Sequence, residues 1–276
     1  MKTAHRSWFK IALAKSAGEG TLVAAAGEHL GEAIAAAEAH VPGSFAVGVE
    51  PATTDSIPLG ESVGKKPLVE LASFEPVGRF AWPVGIVPQL FQQVAGATPS
   101  YTIHKDPAHS VFEALVARDD LAETFMGLVE RLPAADNLEI KLLGSFDDAR
   151  TTDVWLTSRV NAKKILAFLD DYDTELFGNG FLELGVYVRS KKATLRLTEH
   201  KTIVWVAQDR SVDGEVRRWF AELDIPRADE LHTIEAVPHL HYRPAKSRDR
   251  KKLGQELYKQ RMRRVATEPV PAASEG

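Results

Sequence analysis

Apolar positions in this chain recur with two different periods, and the switches between them mark out its elements. Residues 8–15 alternate apolar and polar as a strand does, and residues 21–26 can pair back on them across Gly18 and Gly20. Leu30, Ile34, Ala37 and Val41 then stand at helical spacing in an Ala- and Glu-rich stretch that Pro42-Gly43 ends. Residues 45–49 predict the next strand, residues 51–67 a Pro- and Gly-rich loop, and residues 68–74 and 79–84 two further strands. Between 107 and 132, Val111, Leu115, Ala122, Phe125, Val129 and Leu132 predict a helical region with a break at Asp119-Asp120.

The second half alternates more regularly. Leu138, Ile140 and Leu142 start a strand, and residues 152–159 follow as another. Asn161 is a suitable N-cap for a helix carrying Ile165, Phe168, Leu169, Tyr172 and Leu176, closed by Gly178-Asn179-Gly180. A three-stranded meander is expected over 181–189, 193–198 and 202–208, then a helix from Asp213 with Val216, Trp219, Phe220 and Leu223, then an extended segment over 231–242. This order fits an α+β fold whose C-terminal half is a ferredoxin-like antiparallel sheet with helices on one face. The expected domains are a smaller N-terminal α+β unit over 1–134, the ferredoxin-like unit over 135–244, a basic helix over 245–266 and a disordered tail over 267–276.

Charge adds a second signal. From Lys246 to Val265 there are nine basic and two acidic residues, a local +7, while the whole chain is −4 and the remainder therefore −11. Such asymmetry points to an anionic partner, and Arg248, Arg250, Lys251, Lys252, Lys259, Arg261, Arg263 and Arg264 are the residues expected to meet it. Nucleic acid is one such partner, an anionic protein another, and the chain's own acidic body a third. The apolar stripe of that segment is too narrow, and too poor in Trp and Phe, for a membrane surface. The chain has no cysteine, which excludes disulfides, thiolate metal sites and cysteine nucleophiles. No segment is apolar enough to span a bilayer, and a cytoplasmic location is expected.

Candidate chemistry is sparse. One face of the predicted meander carries Tyr187, Arg189 and Arg196, with Trp155 as a neighbour, a set able to stack and neutralise single-stranded nucleic acid. His239 and His241 alternate along a strand, so their imidazoles share a face and can hold a divalent metal given a third ligand. This His-Leu-His pair followed by Tyr258 is similar to the arrangement in single-strand DNA nicking and rejoining enzymes of the HUH class, and the resemblance implies a metal that polarises a phosphate and a tyrosine that attacks it. Residues 60–66 imitate a phosphate loop but are one residue short and carry Lys66 and Pro67 where the magnesium ligand and helix start belong. Residues 170–175 alternate like a calcium loop without its central glycine.

Three functions follow as expectations. The first is a non-catalytic binding or adaptor protein, needing no cofactor, whose basic C-terminal helix engages nucleic acid or another anionic assembly. The second is a metal-dependent single-strand nicking enzyme. The third is a self-assembling homo-oligomeric component.

Overall fold

Two antiparallel sheets, one four-stranded and one eight-stranded, organise this α+β protein, whose computed structural model describes residues 6–57, 68–76, 78–92 and 94–269. β1 (Ser7–Ala14) and β2 (Gly20–Gly27) form a hairpin; β3 (Phe45–Ala52) returns beside β1 after helix α1 (Leu30–His40), and β4 (Leu68–Phe74) pairs with β2. Alternation in β1 sends Ile11 and Leu13 under Ala33, Ile34 and Ala37 of α1, while Ala12 and Ala14 face Val47 and Leu90. Small residues in α1 let other backbone come close: a Cβ on Gly31 would stand 1.9 Å from the carbonyl oxygen of Arg243. Arg118 clamps the same helix, donating to both carboxylate oxygens of Glu38 at 2.6 and 2.9 Å.

β5 (Ile86–Pro88) precedes the second sheet, which begins with the hairpin β6 (Ser100–His104) and β7 (Ser110–Leu115). Helix α2 (Leu121–Arg131) leads to β8 (Asn137–Leu142) and β9 (Thr151–Leu156), and helices α3 (Ala162–Asp171) and α4 (Asp173–Gly178) follow. The meander is β10 (Leu182–Val188), β11 (Ala193–Leu197) and β12 (Ile203–Ala207), then helix α5 (Asp213–Glu222), the short β13 (His239–His241), helix α6 (Arg250–Lys259) and β14 (Arg263–Pro269). The large sheet runs β14-β9-β8-β10-β11-β12-β7-β6 with every ladder antiparallel. One face buries Phe112, Ile140, Leu184, Leu195 and Trp205 beneath apolar residues of α2, α3, α4, α5 and α6.

Several sequence expectations change. The ferredoxin-like order needs the strand after the second helix to rejoin the sheet. Here the chain leaves after α5, and β13 pairs with β5 in a separate two-stranded sheet. The expected boundary near residue 134 falls between β7 and β8, both of which belong to the eight-stranded sheet. Residues 110–115 form a strand because Phe112 and Ala114 alternate with Val111 and Glu113; the apolar residues of that stretch suit a period of two as well as one of 3.6. Asp119-Asp120 is the start of α2 rather than a break inside a longer helix.

The expected basic helix over 245–266 spans only Arg250–Lys259. Arg261 takes a left-handed turn (φ 62°), and Arg263–Pro269 then pairs with β9 as the sheet's edge strand. Residues 267–269, expected to be disordered, lie in that strand. The phosphate-loop imitation at 60–66 and the end of the tail at 270–276 lie outside the described residues.

Candidate metal centre

β13 presents its two histidines as strand alternation requires, and a third imidazole arrives from the hairpin turn between β11 and β12. That turn is tight: Lys201 N–H donates to Thr198 O at 3.0 Å, Lys201 adopts φ 61°, and the Thr198 and Thr202 hydroxyls meet at 2.8 Å. His200 projects from it toward His239 and His241, with ring centroids 4.9 and 5.1 Å away, and the β13 pair are 5.2 Å apart. One ring nitrogen from each of the three lies within 4.8 Å of the other two. Imidazole nitrogens at 2.0–2.1 Å from a tetrahedral ion stand about 3.4 Å apart, so the three rings must draw closer together to hold one.

Hydrogen bonds fix which nitrogen is offered. His239 Nδ1 donates to Val237 O at 2.8 Å and His241 Nδ1 to Gly180 O at 2.6 Å; carbonyl oxygens carry no proton, so both nitrogens must be the protonated ones. His200 Nδ1 faces the Glu235 carboxylate at 2.5 Å. With Nδ1 engaged, Nε2 is the ring nitrogen left to face an ion, and each ring is oriented by a second group, as metal-ligating histidines are. Burial lowers the pKa of His241 to about 4, which keeps it unprotonated near neutral pH, and burial also lowers that of His200 against the opposing pull of Glu235. All three side chains are only half-buried.

The support behind His241 is backbone. Gly180 N–H donates to Tyr242 O at 2.9 Å and Tyr242 N–H to Gly85 O at 2.8 Å. A Cβ on Gly180 would stand 1.9 Å from Gly85 O, so the Gly178-Asn179-Gly180 stretch allows this approach as well as ending α4. Beside it Lys201 is fully buried, its Nζ donating to Asn179 O at 2.6 Å, and burial pulls its pKa down to about 7.

The other expected site residues lie elsewhere. Tyr187 and Arg196 do share the sheet face opposite the helices, but each is engaged: Tyr187 donates to Glu139 at 2.7 Å and Arg196 to Glu183 at 3.0 Å, with Lys141 also 3.2 Å from Glu183. Arg189 donates to Asn137 Oδ1 at 2.9 Å. Trp155 is on the helix side, buried under α6, because its register with Ile140 puts it on the core face.

In the basic segment, Leu253, Leu257 and Met262 are buried, each contributing about 1.5–3 kcal/mol of apolar stabilisation, and the segment docks on its own chain. Arg248 pairs with Glu175 and lies over the Tyr172 ring at 5.7 Å. Arg250 donates to Leu142 O, Leu143 O, Thr151 O and Asp153 at 2.5–2.9 Å. Lys252 and Lys259 pair along the helix with Asp249 and Glu256, and Arg264 reaches Asp153 at 3.5 Å. Lys251, Arg261 and Arg263 are exposed. Tyr258 is also exposed and lines a cleft that none of the three histidines lines.

Nothing local marks His200 as a third ligand, because it is far along the chain from the pair and sits in an ordinary hairpin turn; no spacing rule links 200 to 239. Compared with protein-family models, with curated proteins and with solved structures, the chain matches none.

Proposed function

We propose that this protein is a metal-binding protein that holds one divalent transition-metal ion, of the zinc class, through the Nε2 atoms of His200, His239 and His241. The observation that carries the reading is the convergence of three imidazoles whose Nδ1 atoms are each already tied to a carbonyl or carboxylate. Imidazole ligands favour zinc, copper, nickel and iron over calcium or magnesium. Three protein ligands on half-buried side chains leave a coordination position for water or a substrate oxygen. That is the arrangement of metal-assisted hydrolysis, in which the ion lowers the pKa of its bound water to about 7. Tyr258 has no part in this reading, since it lines a different cleft.

The test is metal uptake by the full chain after chelator treatment. Titration with Co²⁺ should give visible absorption of a four-coordinate ion saturating at one equivalent, displaced by Zn²⁺. His200→Ala, His239→Ala and His241→Ala should each abolish that spectrum, while Glu235→Gln should weaken Zn²⁺ affinity about 10–100-fold, as loss of an orienting partner does. No stoichiometric uptake, or uptake that survives all three alanine variants, refutes the reading.

A further inference from the structure

Helix α6 and the β9–β14 edge enclose an open cleft of about 1070 Å³. Met262 and the edge of the Trp155 indole lie at its base, Lys251 and Tyr258 come from α6, and Arg263 and Arg264 come from β14. Gly254 lies close over the indole, where a Cβ would sit 3.4 Å from the Trp155 ring.

The acidic groups of this cleft are already satisfied. Asp153 accepts from Arg250 and from the Thr267 hydroxyl, and Asp147 accepts the Arg250 amide. Of its basic groups Arg250 and Lys259 are paired, with Asp153 and Glu256, but Lys251 and Arg263 have no ion-pair partner among the described residues, nor has Arg261 at the adjoining turn, and Arg264 has only the 3.5 Å contact to an Asp153 that Arg250 already occupies. Beside them Tyr258 leaves 74% of its surface open to solvent. Uncompensated cations flanking an exposed aromatic ring suit a ligand that offers phosphates and a planar base together. A duplex hides its base faces, and a membrane would need a wider apolar surface than Tyr258 and Val265 supply.

We propose that this cleft binds single-stranded nucleic acid, with Lys251, Arg263 and Arg264 on backbone phosphates and one base stacked on Tyr258. The assignment narrows the basic segment to these residues, because Arg248 and Arg250 are spent on the protein's own carboxylates and carbonyls. It is independent of the histidine centre, whose residues do not line the cleft.

Fluorescence anisotropy of labelled dT12 and rU12 with the full chain tests it. Three neutralised phosphates give a log–log salt slope of about −2, at roughly −0.7 each for single strands, so affinity should fall roughly twenty-fold between 50 and 200 mM salt. Lys251→Ala with Arg263→Ala should cut the slope to about −0.7, and Tyr258→Ala should weaken binding about ten-fold with the slope kept. Lys163→Ala with Lys164→Ala, two exposed cations on α3, should change neither. All these positions are exposed, and circular dichroism checks that each variant is folded. No binding of either oligonucleotide at 50 mM salt, an equal loss in the α3 variant, or unchanged binding by Tyr258→Ala overturns the proposal. ATP binding as tightly as dT12, or phosphatidylserine vesicles capturing the chain in preference to dT12, overturns the assignment to a strand.

Discussion

Arg250→Ala should loosen the docking of the terminal segment on the sheet. The side chain is only 11% exposed and its guanidinium donates to three carbonyls and to Asp153, itself 14% exposed, while its own amide donates to Asp147 at 2.8 Å. Removing one partner of a buried ion pair costs about 3–5 kcal/mol, because the other charge stays buried. Asp153 would keep the Thr267 hydroxyl at 2.9 Å and Arg264 at 3.5 Å, which places the expected loss at the lower end, about 3 kcal/mol. Arg250→Lys should recover little, since a single ammonium cannot span the four acceptors that the planar fork reaches. Urea unfolding followed by tryptophan fluorescence reads the effect, with Trp155 lying beneath α6 as a local reporter; amide exchange across α6 reads it independently of two-state behaviour. Lys251→Ala, exposed and unpaired among the described residues, is the control and should stay within about 0.5 kcal/mol. If Arg250→Ala lies within about 1 kcal/mol of that control and leaves α6 exchange unchanged, the segment is not held by this residue and the docking argument fails.

Other consequences follow from close approaches and burial. Gly31→Ala should destabilise by about 2 kcal/mol or more, because the new Cβ would sit 1.9 Å from Arg243 O and α1 must separate from the chain leading out of β13; thermal unfolding measures it. Gly254→Ala should stabilise by up to about 1 kcal/mol, since its Cβ meets only ordinary contact with Trp155 inside a helix; a loss of stability in urea would contradict the open cleft drawn there. Lys201→Met should raise the stability of metal-free protein at pH 7. The folded state releases the Lys201 proton near pH 7 and the unfolded state near 10.5, so wild type gains stability as pH rises through that window. The advantage of the variant should therefore be largest at and below pH 7, up to about 5 kcal/mol, and vanish by about pH 10.5; a pH-independent difference in urea midpoints would contradict it.

Much of the fold was legible because it is encoded locally. The alternations of β1, β2, β4, β8, β10, β11 and β12, and the Asn161 cap, which accepts the Lys164 amide at 3.1 Å, stand close to where the residues place them. Residues 110–115 were not legible in the same way: their apolar residues fit two periods, and the choice is made by pairing with β12, a partner about 90 residues away. Residues 239–241 read as a strand with two histidines on one face, and the structure agrees, yet the pairing of that strand with β5 outside the main sheet had no local mark.

Local physics in the sequence thus determined the α+β class, most strands of both sheets, the uneven charge of the C-terminal segment and the pairing of His239 with His241 on one face. Tertiary structure decided the rest. It selected which cations remain available, since ion pairs form between residues such as Arg250 and Asp153 that lie far apart in the chain. It ended the basic helix at Lys259, because the edge of β9 offers Arg263–Pro269 a ladder that a longer helix could not use. It also brought His200 to the histidine pair, through a hairpin turn whose position is set by the whole sheet beneath it. Periodicity records which face a residue takes on its own element; only packing of the elements records what that face meets.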